Sequence, residues 1–497
     1  MQVPYAMLQV ILAPVVVAFL TVFFGKYLGK KLGWVAFGVL AYTSLLMINI
    51  GIDLWNGLGP FYEEYRWSTS LFDMKFGFLA DGLSLPVALI MNMICAACAL
   101  YSIHYMEHRI EQLFGKEEKG MYTVYFSIYL LFAVGLVGVA LSTNLIQMYV
   151  FVELALIPSY IMIDLFGYVD RHRIAMMYFI WNHIGAAMFL VGIALAFVGT
   201  GSFEITALRN LSNASLGFWV CFFVLIGWLV KMATFGFHVW LPYAHGEHPT
   251  SIAAIIATIV GLGNYVIVRL LYGEMLESFR IFGTPLLVLA IITIIYGGFL
   301  TLAQDDFKRL YACSTISQTA YSILGIATLT TMGVAGGVFY FLSHILGKCV
   351  LFSIAGIVLC QTGIRDMRNL GGLARKMPLT ATLCILGSMV LSAFPPLSGF
   401  QGEWIMFVGV FQEAGASTGF TVAIVAIFAT FLTVAYTFWP ILRVFFGPLA
   451  PGLENVKEAP LSMVLPLFVL MLIAFIMGIY PESVMRLIGP VVSSMAP

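Results

Sequence analysis

Polar positions in this chain are sparse and gather between long apolar runs, and the lengths of those runs predict its architecture before any motif is considered. About 14 stretches approach or exceed the roughly 20 apolar residues needed to cross a bilayer. They cover residues 5–24, 33–53, 80–103, 122–141, 145–167, 174–199, 216–240, 250–272, 282–302, 308–328, 333–360, 379–410, 419–446 and 461–480. The longest intervening stretches, 54–79 and 104–121, are too short for separate catalytic domains, and neither carries a GxGxxG or P-loop pattern. The expected fold class is therefore an all-α polytopic membrane protein. The first run has no basic leader and no small-residue cleavage site, so it is expected to stay as a first helix.

Composition agrees with this. Hydrophobic residues make up 61% and charged residues 10% of the 497, against roughly 25% charged in a soluble domain. The formal net charge of zero gives no sign of nucleic acid as a partner. If loops alternate sides, about 16 Lys and Arg residues lie on the side reached after odd-numbered spans and about 6 on the other, which predicts a cytoplasmic face for the basic loops and puts both termini outside. Of the seven cysteines, Cys95 and Cys98 have CxxC spacing, but no second pair or histidine cluster completes a metal site, so they are expected to be small apolar fillers. The sequence offers no cofactor site of its own, and any redox chemistry must come from partner chains.

Ionisable residues inside the apolar runs are the candidate chemistry. Lys231 lies within the run 218–240, where a lone ammonium costs roughly 2.5 to 3.5 kcal/mol on insertion scales unless it meets a partner or a watery cavity. Lysine is also the cation that exchanges its proton readily once buried. Glu153 precedes Pro158 in the run 144–164 and is the expected ion-pair partner of Lys231. His344 and Lys348, four residues apart, share a helix face and suit a proton relay. In 393–404, AFPPLSGFQGEW, Pro395 and Pro396 remove backbone donors and Gly399 and Gly402 loosen the chain before Glu403. Such an interruption is tolerated at membrane depth where protein or water satisfies the freed carbonyls, and broken helices commonly mark ion sites. His238, His183 and Asp164 are secondary candidates.

The stretch after Lys231, FGFHVWLPYAHGEHPT (235–250), resembles the FHxWLPDAHxxAPT signature of the antiporter-like membrane subunits of respiratory complex I, which are related to Mrp-type cation/proton antiporters. Four further segments agree in order and spacing: NLIQMYVFVELALIPSYIMI with the family's fifth helix, QDDFKRLYACSTISQ with its KRLIAYSSISH segment, RDMRNLGGLARKMP with its RDIRKLGGLARKMP loop, and FPPLSGFQGEW with its twelfth helix. Glutamate at position 403 is typical of the M-type subunit (chain 4).

The resemblance implies two inverted five-helix repeats, helices 4 to 8 within 122–272 and helices 9 to 13 within 282–446. Helices 1 to 3 would lie within 1–121 and helix 14 within 461–497, and helices 7 and 12 would be broken. Each repeat would supply a half-channel: Glu153 would modulate Lys231, His344 and Lys348 would extend a central relay, and Glu403 would be the exit-side site. The function implied is proton translocation in a complex I type dehydrogenase of a cell membrane, with neighbouring antiporter-like subunits, peripheral redox subunits and the lipid bilayer as partners. The alternative is an Mrp-type Na⁺/H⁺ antiporter subunit. A structural spacer, which would need no buried ionisable chain, is a third possibility. Three departures stand out. Gly261 occupies the position of the family's eighth-helix lysine, leaving Lys348, His344 and Asn264 to bridge the centre. Tyr243 replaces the signature aspartate. The HxxxK spacing of His344 and Lys348 is closer to L-type and Mrp-type subunits. Together they suggest a divergent branch, such as F420H2 dehydrogenases that reduce methanophenazine or membrane-bound hydrogenases.

Overall fold

The computed structural model describes residues 3–66, 74–114, 118–413 and 417–496. In chain order its helices are α1 (Ala6–Leu28), α2 (Leu32–Trp55), α3 (Ser84–Phe114), α4 (Lys119–Leu141), α5 (Leu145–Phe166), α6 (Arg171–Thr200), α7 (Ala214–Lys231), α8 (Leu241–Glu247) and α9 (Thr250–Val266). There follow α10 (Leu276–Phe279), α11 (Gly283–Leu302), α12 (Phe307–Ala327), α13 (Thr331–Thr362), α14 (Pro378–Leu391), α15 (Ser398–Glu413), α16 (Ser417–Phe445), α17 (Leu461–Ile479) and α18 (Glu482–Met495).

Among the described residues, 11 helical segments are long and apolar enough to cross a membrane, α1 and α2 forming one continuous segment. The chain is an integral multi-pass membrane protein. Three helices fall short of that measure for physical reasons. The face of α12 is rich in hydroxyl and amide groups, with Ser314, Thr315, Ser317, Gln318, Thr319 and Ser322 all buried. The expected span 379–410 is two half-length helices, α14 and α15.

Four local expectations are corrected. The stretch 54–79 holds an antiparallel hairpin, β1 (Phe61–Arg66) with β2 (Lys75–Ala80), paired Phe61 to Ala80 through Arg66 to Lys75; residues 67–73 lie outside the described residues. From β1, Glu63 accepts hydrogen bonds from the backbone N–H groups of Met7 (3.1 Å) and Leu8 (3.0 Å), meeting two of the orphan donors that every helix start leaves. The stretch 104–121 is no loop over its first part, because α3 runs on to Phe114. The eighth span changes from α-helix to a π-turn at Ile267–Tyr272. Beyond the last expected span lies α18, an amphipathic helix whose Val484, Ile488 and Val492 are buried while much of its opposite face is open.

At the centre stand α9, buried along its whole length, and α13, buried continuously from Gly333 to Val358. Glycine lets the half-helices approach their neighbours closely. A Cβ on Gly227 of α7 would come within 2.7 Å of Gly185 O on α6, and one on Gly402 of α15 within 2.8 Å of Tyr340 Cα on α13. Small residues at such crossings are what allow backbones to pack tightly inside a membrane.

Several devices occur twice. Asn144 caps α5 by accepting from Ile146 and Gln147 N–H, as Asp306 caps α12 by accepting from Lys308 and Arg309 N–H. Isolated bridges join Asn144 to Glu204 and Asp306 to Asp366. Then α6 and α13 end on left-handed glycines, Gly201 at φ +69° and Gly363 at φ +71°.

Candidate functional site

Residues 218–240 do not make one helix. Lys231 is the last residue of α7, and the chain then leaves helical geometry through Ala233 at φ +52° and Gly236 at φ +92° before α8 begins. Ala233 N–H donates to Val230 O at 3.2 Å and Thr234 N–H to Leu229 O at 3.3 Å, the paired bonds of a Schellman motif, with alanine in the left-handed position that glycine usually takes. Trp240 Nε1 also donates to Val230 O at 3.1 Å, giving that terminal carbonyl a second donor. The Lys231 ammonium, 3% exposed, thus sits at a helix C-terminus, where the partial negative charge of the last carbonyls favours a cation.

The second break repeats the first. Ser392 N–H donates to Ser388 O, Ala393 N–H to Val390 O and Phe394 N–H to Met389 O, with Ala393 again at φ +52°. Pro395 and Pro396 follow, and α15 starts at Ser398. On its first turns Glu403 is 8% exposed, with no cation within 4.0 Å among the described residues. It lies within electrostatic reach of Tyr321, Tyr340 and Tyr436. These phenols belong to one network: Tyr340 OH donates to Gln318 Oε1 (2.7 Å), Gln318 Nε2 donates to Tyr436 OH (2.6 Å), and Thr433 Oγ1 joins Tyr436 and Tyr321 at 3.1 and 3.4 Å.

The expected Glu153–Lys231 ion pair is not a contact here. Glu153 Oε2 lies 3.5 Å from His183 Nδ1, Oε1 is buried without a partner, and the carboxylate acts on Lys231 only at longer range. The His183 ring stacks on Phe179 at 5.4 Å and its side chain is half exposed at the outer face of α6. Asp164 bonds His172 at 2.7 Å near the loop end of α5, away from the buried set. His238 Nε2 is 3.1 Å from Tyr296 OH, and its Nδ1 is buried and unpartnered.

On α13, His344 and Lys348 are both buried, at 2% and 0% exposure. Lys348 Nζ donates to Tyr311 O at 3.0 Å and to Ser314 Oγ, while His344 Nε2 has no partner. At Gly261 a Cβ would lie 2.5 Å from Phe341 Cε2: an aromatic ring of α13 fills the space that the family's lysine stem would need. Asn264 Nδ2 turns back to Gly261 O at 3.1 Å, leaving its Oδ1 orphaned.

Sequence reasoning passed over a second buried group on the loop side. His245 and His248 are both 0% exposed. Lys308 Nζ donates to Gly246 O at 3.1 Å and to His248 O, closing the C-terminus of α8, and stands 4.6 Å above the Tyr168 ring. Arg365 links Asp306 (2.8 Å) to Glu247 (4.0 Å). His245, Glu247 and His248 all lie in the 235–250 motif. The available signal was the departure itself, since His248 stands where the signature has alanine.

Residues 142–433 match the model of the NADH:quinone oxidoreductase/Mrp antiporter transmembrane family, and residues 67–114 match that of the complex I chain 5 N-terminus. Similar proteins include NAD(P)H-quinone oxidoreductase chain 4-2 of a Synechocystis species, 30% identical over 87% of this chain and 77% of its own length. F(420)H(2) dehydrogenase subunit M of Methanosarcina mazei is 28% identical over 96% and 94%. Among solved structures, the Mrp complex from Dietzia sp. superposes with a TM-score of 0.86 at 19% identity (99% and 98% covered), and respiratory complex I from Thermus thermophilus with 0.84 at 23% (97% and 99%). The chain belongs to the NADH:quinone oxidoreductase/Mrp antiporter transmembrane family. Its relatives include the M and chain 4 subunits of oxidoreductase complexes, and its fold is the one found in those multi-subunit membrane assemblies.

Proposed function

We propose that the chain is a proton-translocating membrane subunit of a complex I type dehydrogenase, moving protons while partner chains carry electrons to a membrane quinone or methanophenazine. The observation that carries this is the duplicated helix break with an ionisable residue beside each copy, Lys231 before the first and Glu403 after the second. The recurring caps, bridges and Schellman ends support two inverted five-helix repeats, α4 to α9 and α11 to α16. Counting α7 with α8 and α14 with α15 as single broken spans, and α12 as a span, supports a 14-helix chain.

On this reading Glu153 and His183 tune Lys231, His344 and Lys348 continue the line through the centre, and Glu403 exchanges protons through the tyrosine network. Both termini lie on the outer side of a cell membrane and the basic loops on the cytoplasmic side. Moving one charge against 100 mV requires about 2.3 kcal/mol, which the partner chains supply. The Mrp-type Na⁺/H⁺ antiporter subunit is the second reading, favoured by the HxxxK spacing of His344 and Lys348.

The test is electron-transfer-driven proton uptake by the intact complex in vesicles, with and without sodium. Uptake that persists without sodium and stops when electron transfer is inhibited is the expected result. Uptake that requires a sodium gradient and ignores the electron donor would favour the antiporter.

A further inference from the structure

A cavity of about 420 Å³ opens where three separate segments of the chain meet: the link between α6 and α7, the turn 273–278 after the π-turn, and the last turn of α18. Its volume falls within the roughly 300 to 1,000 Å³ of small-molecule sites. One wall is α18 itself, through Ser494 and Met495, and Met495 is seated against Gly273, where a Cβ would lie 3.1 Å from its Sδ. Leu208, Leu211, Met275 and Leu276 add apolar surface, and the charged groups are Arg209, Glu274 and Glu277. Arg209 Nε lies 2.5 Å from Glu274 Oε2, and its Nη2 donates to Oε1 at 3.2 Å. The carboxylate of that pair is 5% exposed and the arginine side chain 61%. A buried anchor therefore holds an open guanidinium, whose five N–H donors exceed what one carboxylate takes up. Glu277 is 87% exposed, and among the described residues it meets only Arg280, at 3.9 Å.

The surroundings place this cavity at the level of lipid headgroups. Gly217, in the first turn of α7, packs directly on Ser278 of the lining. The next residues are Phe218, stacked 5.2 Å from Phe282, and Trp219, which is 46% exposed. Outward-facing aromatic rings at the end of a span mark the membrane–water interface, and an amphipathic helix such as α18 lies in that plane. A cation flanked by two carboxylates disfavours an anionic headgroup, because its net charge would face Glu274 and Glu277. A group that carries a phosphate and an ammonium a few bonds apart matches both signs.

We propose that this cavity binds the headgroup of a zwitterionic phospholipid with a primary ammonium, of the phosphatidylethanolamine class. The phosphodiester oxygens accept from the spare N–H groups of Arg209, the ammonium donates to Glu277, and the glycerol and first acyl carbons lie on the apolar surface of Leu211 and Met275. Both polar contacts are charge-assisted hydrogen bonds, the stronger kind. The lipid thereby ties the end of α18 to the link between α6 and α7. A choline headgroup has no N–H to offer Glu277, and a glycerol headgroup brings no cation. The site is separate from Lys231, Lys348 and Glu403, and it stands whether or not protons pass through this chain.

The experiment is retention of added lipid by the intact complex, stripped of bulk lipid in detergent and measured by mass spectrometry for wild type, Glu277→Gln and Arg209→Gln. The probes are phosphatidylethanolamine, phosphatidylcholine, phosphatidylglycerol and water-soluble phosphoethanolamine. Wild type is expected to keep one more molecule of phosphatidylethanolamine than either variant, and to bind it at least about fivefold more tightly than the choline or glycerol lipid. Glu277 is exposed, so Glu277→Gln decides the matter if Arg209→Gln does not assemble. Equal retention of phosphatidylethanolamine by wild type and Glu277→Gln would overturn the site. Equal retention of phosphatidylglycerol would overturn the zwitterionic assignment, and displacement of the lipid by an equal concentration of phosphoethanolamine would overturn the membrane as its source.

Discussion

Ala393 repeats the conformation of Ala233: each has φ +52°, each donates its N–H three residues back, and each closes a helix just past its C-terminus. The ionisable groups do not repeat. Lys231 stands just before its break and Leu391 occupies the matching place in the second copy, while Glu403 lies beyond its break and Tyr243 matches it. The cation gains from the carbonyl end of α7, while the carboxylate lies past the first turn of α15. The same backbone device thus stands beside a lysine in one case and near a glutamate in the other.

Glu153 contacts His183 and not Lys231, so the two couplings should differ. In a double-mutant cycle on proton uptake, Glu153→Gln and His183→Gln should be strongly non-additive, and Glu153→Gln with Lys231→Ala less so. Additive losses for the first pair, in assembled complex, would remove His183 from the site.

Phe341 occupies the space beside Gly261. Gly261→Lys alone should overpack the α9–α13 contact and destabilise the complex by about 1 to 3 kcal/mol, seen as a lower midpoint of thermal unfolding in detergent. Adding Phe341→Ala should recover much of the loss. A wild-type midpoint for Gly261→Lys would show that the ring yields freely.

Much of the helical layout was legible because bilayer-length apolar runs carry their own signal, and the second break was legible because two prolines and two glycines mark it. The first break carries no such mark, since Ala233 takes the left-handed role without a sequence signature, and it was expected only from the family resemblance. The hairpin 61–80 was hidden because six-residue strands between helices look like loop. The buried ionisable residues could be named one by one. Their pairing could not: which carboxylate meets which base depends on helix rotation, and α6 turned His183 toward Glu153. His245 lay within a recognised motif, but its orphaned nitrogens are a property of packing alone.

Arg269, within the π-turn, donates to Asp81 Oδ1 at 2.7 Å, and both residues are buried. Asp81 Oδ1 also accepts from Leu83 and Ser84 N–H at the start of α3. Burial pushes the Asp81 carboxyl up while Arg269 and these N–H groups pull it down, and the net is below the usual range. Asp81→Asn should keep the cap but strand a buried guanidinium, costing about 3 to 5 kcal/mol, measurable by thermal unfolding. A change near zero would mean that Arg269 is satisfied by other groups.

The most direct test of proton translocation through this chain is Glu403→Gln, measured as electron-transfer-driven proton uptake in vesicles and normalised to assembled complex. Glutamine keeps the shape and hydrogen-bonding capacity beside the tyrosine network but cannot take up and release the proton. Uptake should fall at least about tenfold, and Glu403→Asp should retain part of it. Wild-type uptake by Glu403→Gln would remove this residue from the pathway and contradict the two-half-channel account.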